Sequence, residues 1–128
     1  MNRRQRNADP LAPQELEEAV AALADQRDRL RSEIATAEKA ESAVRDGGDL
    51  DAADVSTTNV TIQELHTRTE DAAALLDRTL AALTRAEQGT FGMCTHCGAA
   101  VGRERVMALP HAELCVTCAQ RPEVSPAR

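Results

Sequence analysis

The chain has 128 residues, a net charge of −6 at pH 7 and a single aromatic side chain, Phe91. A chain of this length forms one modest domain or a small module attached to an extended element. The negative charge and the scarcity of aromatic rings argue against a nucleic-acid-binding surface, because phosphates need clustered cations and bases stack on rings. The Ala- and Leu-rich apolar content favours long paired helices, so the fold is expected to be mostly α.

Residues 1–13 carry three arginines and two prolines and almost no apolar side chain. This composition predicts a flexible basic tail. No apolar run typical of a secretory signal follows the N-terminus, and no stretch of eighteen apolar residues occurs in the chain. The sequence therefore predicts a cytoplasmic protein with no membrane partner.

A long helix is predicted from Gln14 to about Arg45, a stretch without Pro or Gly. Its apolar residues recur at alternating spacings of four and three, which is typical of a coiled-coil seam. Arg27 and Glu41 occupy two seam positions, where they could specify register or simply extend their charged ends into solvent. The apolar seam residues are Leu16, Val20, Leu23, Leu30, Ile34, Ala37 and Val44.

A second helix is predicted from about Thr58 to Gln88, with Gly89 at a typical C-terminal position. Its seam follows the same spacing, and Thr69 and Thr79 are its weak points. The apolar positions are Ile62, Leu65, Ala72, Leu76, Leu83 and Ala86, and the stripe is widened by Leu75 and Leu80. Two such helices predict an antiparallel coiled-coil hairpin over residues 14–88. The alternative is a parallel homodimeric coiled coil, which would leave the second helix without a partner.

The connection between the helices, residues 46–58, is acidic. Two glycines interrupt the first helix, and four aspartates lie within the nine residues 46–54 without an intervening cation. From the residues alone this segment is interpreted as a solvated turn, in which Asp54 or Ser56 could cap the second helix.

The four cysteines of the chain are Cys94, Cys97, Cys115 and Cys118. Two CxxC pairs at this separation predict a module over residues 89–120 that holds one structural zinc ion through four thiolates. Disulfides would need an oxidising compartment, and a thioredoxin-type pair would need a strand–helix context. His96 and His111 could substitute as ligands, but four thiolates already complete the shell, so both are expected at the finger surface.

The zinc module is expected to have only a small apolar core, so the metal should supply much of its folding free energy. Arg103 and Arg105 could contact an acidic partner or simply be solvated, and His66 is interpreted as a helix-surface residue. Residues 121–128 are expected to form a flexible C-terminal tail. The predicted core residues are Phe91, Val101, Met107, Leu109 and Leu114.

Two runs, residues 89–98 and 105–118, resemble the signature of the DksA/TraR-type zinc-finger family. The resemblance implies a transcription regulator, and not an enzyme, that inserts its hairpin into the secondary channel of RNA polymerase and modulates promoter complexes. The family uses an Asp-x-x-Asp-x-Ala motif at the hairpin tip. Asp51 and Asp54 match this motif, and Ser56 replaces its alanine.

The chain also departs from the family pattern. The family's guanosine tetraphosphate site uses a helix after the finger, and Pro122 and Pro126 make residues 119–128 a poor helix. A response to that nucleotide is therefore doubtful. Two other functions remain open: a zinc-anchored coiled-coil adaptor for another protein, and a thiol or zinc redox sensor. An enzyme is not expected, because a zinc ion held by four thiolates has no open coordination position.

Overall fold

The computed structural model describes residues 10–46 and 52–123, without the side chains of residues 52–56 and 58. These residues form two long helices, α1 (Pro13–Arg45) and α2 (Ala52–Gln88), and two short ones, α3 (Arg103–Ala108) and α4 (Val116–Ala119). The expected mostly helical fold is confirmed. The described residues divide into two compact units, one of residues 28–76 and one of residues 10–27 with 77–123.

In the second of these units the beginning of α1 packs against the end of α2. Ala19 and Leu23 of α1 and Thr79 and Ala82 of α2 are all fully buried. A hydrogen bond of 2.6 Å joins Gln26 Nε2 to Thr79 Oγ1 across the seam. Because the start of one helix meets the end of the other within one chain, the helices are antiparallel, and the predicted hairpin is confirmed over the parallel dimer.

In residues 28–76 the two helices pair through a thinner interface. Leu30 is buried, and the seam positions Ile34, Ala37, Leu65 and Ala72 are half-buried, as the heptad spacing predicts. The charged seam residue Glu41 is also half-buried and forms a 2.7 Å ion pair with Arg45, one helical turn away. A cavity of about 530 Å³ lies between the helices, lined in part by small side chains such as Ala37, Ala40 and Ala72. This part of the hairpin thus has little fully buried apolar surface.

Helix α2 begins at Ala52 and not near Thr58, so the first turns of this helix occupy part of the predicted connection. Asp54 and Ser56 lie inside the helix, and the expectation that one of them caps it is wrong. Residues 55–61 are rich in β-branched and hydroxyl side chains, which have modest helix propensity. Extending an existing helix by one residue is much easier than nucleating one, and this outweighs their weak local preference.

The finger core consists of Cys94, Val101, Val106, Leu114 and Cys118, with Leu11, Phe91 and Ala112 among the side chains packed against it. Val101 and Leu114 are thus buried as predicted. Placing Met107 and Leu109 in this core was wrong, because their side chains are 38% and 44% exposed. Val106 is 2% exposed and takes the inner face of α3. Because successive helical residues point about 100° apart, burying Val106 turns Met107 away from the core.

The segment before α1 contacts the finger. Arg103 Nη2 donates a 2.8 Å hydrogen bond to the Pro10 carbonyl, and Arg103 Nε lies 3.0 Å from Glu15 Oε1. We call these contacts of Arg103 with Pro10 and Glu15 the N-terminal clasp. Leu11, which the sequence placed in the basic tail, packs beside it against the finger core. Among the described residues, no helix combines the length and the apolar character needed to cross a membrane.

Candidate metal centre

The first cysteine pair lies in a tight turn. An isolated β-bridge between Met93 and Ala100 closes the turn, and the Cys94 N–H donates to the Ala99 carbonyl at 2.7 Å. The Gly98 N–H donates back to the Cys94 carbonyl at 3.0 Å, and Gly98 has a φ of 76°. A side chain is strained in this left-handed conformation, so glycine allows the chain to turn both cysteines to one side.

The second pair lies at the start of α4. Cys115 immediately precedes this helix, and the Ala119 N–H donates to the Cys115 carbonyl at 2.9 Å. One helical turn therefore carries Cys118 back beside Cys115. The Thr95 N–H donates to the Glu113 carbonyl at 2.9 Å and joins the two halves of the site.

The four sulfur atoms form one cluster. All of them lie within 4.8 Å of one another, and the Cys97 and Cys115 sulfurs are 3.8 Å apart. Sulfurs held tetrahedrally at about 2.3 Å from zinc are about 3.8 Å from each other, so the cluster fits this ion. Among the described residues no histidine joins the group.

The surroundings shift the pKa values of Cys94 and Cys118 in opposite directions. Burial raises the pKa of Cys94, but N–H groups of Cys97, Cys115 and His96 that donate to its sulfur outweigh burial and lower the pKa to about 6. Burial and hydrogen bonds with the other three thiols raise the pKa of Cys118 to about 12. One thiolate thus forms readily, while the last is opposed by its neighbours. A divalent cation supplies the charge that lets all four sulfurs ionise together.

The other predicted site residues are placed as follows. Asp51 lies outside the described residues, and Asp54 and Ser56 lie in α2 with side chains that are not described. Arg103 belongs to the N-terminal clasp. Arg105 Nε donates a 3.0 Å hydrogen bond to the Leu114 carbonyl. His66 is exposed as predicted, and its Nε2 lies 3.0 Å from Glu70 Oε1.

His111 does not lie on the open finger surface, contrary to the prediction. It is half-buried and lines a cavity of about 130 Å³ with Arg78 and Arg105. Its Nδ1 is 3.5 Å from Gln26 Nε2, the same nitrogen that bonds Thr79. The sequence carries no signal for Gln26, because this residue precedes the seam position Arg27 and lies outside the heptad pattern.

Residues 89–124 match the family model of the prokaryotic dksA/traR C4-type zinc finger. The resemblance drawn from the two cysteine-containing runs is thereby confirmed for residues 89–124, which are similar to a zinc finger of C4 type.

The fold of the chain is similar to a solved structure of the transcription factor DksA2 from Pseudomonas aeruginosa. The TM-score is 0.76 at 24% sequence identity, and the match covers 90% of this chain and 88% of the other. At this identity the similarity establishes the fold, a helical hairpin with a cysteine-rich finger. No sequence among the curated proteins matches the chain.

Proposed function

We propose that this protein is a transcription regulator that acts on RNA polymerase through the acidic end of its helical hairpin. The observation that carries the proposal is the joint occurrence of a dksA/traR C4-type finger and a fold shared over 90% of the chain with a transcription factor. The finer element is the resemblance of the segment Asp51–Ser56 to the family's tip motif. By that resemblance, the tip enters the secondary channel of the polymerase.

The proposed role of the zinc ion is structural. One ion held by Cys94, Cys97, Cys115 and Cys118 would leave no position open for a substrate, so the activity is regulatory and not enzymatic. The finger fixes the two helix ends that it contacts. The carboxylates of Asp51 and Asp54 are proposed to meet basic groups of the polymerase or to perturb its metal-bound active site.

The decisive experiment is in-vitro transcription with purified prokaryotic RNA polymerase and the Asp51→Asn/Asp54→Asn double variant. Asparagine keeps the size of the side chain and removes its charge. The wild-type protein should change the yield of promoter-dependent transcript, and the double variant should lose most of that effect while it still binds polymerase.

A matched control is the Asp25→Asn/Asp77→Asn variant, which removes two charges from exposed positions on α1 and α2. This control should behave as the wild type, because the proposal assigns the effect to the tip and not to the total charge. Absence of both binding and effect with wild-type protein would overturn the polymerase assignment and favour a zinc-anchored adaptor. Equal losses in both double variants would instead overturn the role of the tip.

A further inference from the structure

Three side chains from three parts of the chain meet where the finger contacts the paired helices. Thr79 of α2 is fully buried, and its Oγ1 accepts a 2.6 Å hydrogen bond from Gln26 Nε2 of α1. The same amide nitrogen lies 3.5 Å from Nδ1 of His111, which belongs to the finger. In this orientation of the amide, Gln26 Nε2 donates to His111 Nδ1, which accepts in the neutral imidazole that carries its proton on Nε2.

The charges around His111 favour that neutral form. Arg78 and Arg85 approach from α2 and Arg105 from α3, while Gln26, the contact from α1, is uncharged. The carboxylate in the cavity lining is Glu113, which interacts with Arg85. Two of the guanidinium nitrogens, Arg78 Nε and Arg85 Nη2, are buried and have no hydrogen-bond partner among the described residues. A proton on His111 would therefore enter a site that is already positively charged.

We propose that Gln26, Thr79 and His111 form a pH-sensitive latch, which fastens the finger to the paired helices when His111 is neutral and loosens when it is protonated. Protonation at Nδ1 turns the acceptor into a donor, so the Gln26 amide loses that partner. It also places a fourth cation beside three arginines. The latch concerns the attachment of the finger and does not depend on the proposed action on RNA polymerase.

The direction of the pH effect follows from linkage. Burial, and then the charges of Arg78, Arg105 and Arg85, lower the pKa of His111 below its ordinary value. The unfolded chain therefore binds more protons than the folded protein at pH values below about 6.5, the pKa of a free histidine. The stabilisation by the latch is complete above that pH. It falls as the pH decreases, until the folded protein also takes up the proton.

The test is an NMR titration of the zinc-loaded full chain between pH 7.5 and 5.5. The imidazole Cε1–H signals of the three histidines are followed together with the side-chain amide of Gln26. The His111 midpoint should lie below about 6.5, and the Gln26 amide should shift with that same midpoint. A His111 midpoint at or above this value, or a Gln26 amide that does not follow it, would overturn the latch.

A second measurement compares urea unfolding of wild-type protein, His111→Gln and His66→Gln over the same pH range, with zinc content determined at each pH. Wild type and His66→Gln should lose up to about tenfold in the folded-to-unfolded ratio per pH unit below pH 6.5. His111→Gln should lose clearly less, because glutamine does not titrate. Equal losses in all three proteins at constant zinc content would contradict the proposal. Should His111→Gln fail to fold, the wild-type titration decides alone.

Discussion

At the scale of single residues, Thr79 is a buried polar side chain in the helix seam. It is completely buried, and its hydroxyl accepts the 2.6 Å bond from Gln26. Thr79→Val keeps the shape of the side chain but leaves the half-buried amide of Gln26 without this acceptor. The free energy of unfolding in urea should therefore fall by about 1–3 kcal/mol.

Thr69 provides the matched control for this substitution. It is the other threonine at a seam position, but its Oγ1 donates to the Leu65 carbonyl of its own helix at 2.9 Å. The Leu65 carbonyl is part of the helix backbone, so Thr69→Val leaves no buried donor without an acceptor. It should change the free energy of unfolding by less than about 0.5 kcal/mol. Equal destabilisation by the two substitutions would show that the bond to Gln26 is not the cause.

Individual site residues differ in how far the sequence could predict them. The clustering of the four cysteines could be predicted because a CxxC pair encodes its own geometry in a short spacing. The partners of Gln26 lie 53 and 85 residues away in the sequence. No local pattern records such a contact, since only the packing of the helices and the finger brings these side chains together. Thr79, interpreted as a weak point of the seam, is instead a buried and hydrogen-bonded polar group.

At the scale of elements, periodicity predicted which faces of the long helices pair. The seam positions of α1, including those of Arg27 and Glu41, are buried or half-buried, as are the corresponding positions of α2. Helix ends and very short helices were harder to predict. Helix α2 starts at Ala52, earlier than predicted, because the cooperative extension of an existing helix outweighs weak local propensity. In α3, six residues are too few to show a period, so Val106 could not be distinguished from Met107.

The N-terminal clasp fixes the first turn of α1. The Ala12 N–H donates a 2.9 Å hydrogen bond to Glu15 Oε1, and that carboxylate is also held by Arg103. Arg103→Met retains most of the apolar stem of the side chain and removes both clasp contacts. The amides of Ala12 and of residues 14–16 should then exchange several-fold faster with deuterated solvent, because the segment before α1 is no longer tied to the finger.

Arg121→Met is the control for the clasp, since it removes the same charge from an exposed position. Its exchange rates at Ala12 and residues 14–16 should equal those of the wild type. Unchanged rates in Arg103→Met would mean that the contact of Leu11 with the finger core holds this segment without the clasp.

At the scale of the whole molecule, burial is distributed unevenly between the two units. Leu30 is the only buried side chain among those described in residues 28–76. The other buried side chains all belong to residues 10–27 and 77–123, where they form the finger core and the seam of Ala19, Leu23, Thr79 and Ala82. Local opening costs least where few side chains are buried. Amides of residues 28–76 should accordingly exchange faster than those of the buried seam residues Ala19, Leu23, Thr79 and Ala82 in the zinc-loaded protein.

Removal of zinc should make the amides of the finger exchange faster than those of residues 28–76. Without a cation the thiol of Cys118 resists ionisation, and the small apolar core around Val106 is left to hold the finger alone. Because metal binding supplies much of the folding free energy of such a module, chelation should abolish the exchange protection of residues 93–119. Residues 28–76 form a separate compact unit, so their exchange rates and most of the helical circular dichroism should persist. Cys97→Ser removes an exposed sulfur of the proposed zinc site with little loss of packing and should reproduce the effect without a chelator. A simultaneous loss of protection in residues 28–76 would show instead that the two units unfold as one, with zinc stabilising the entire hairpin.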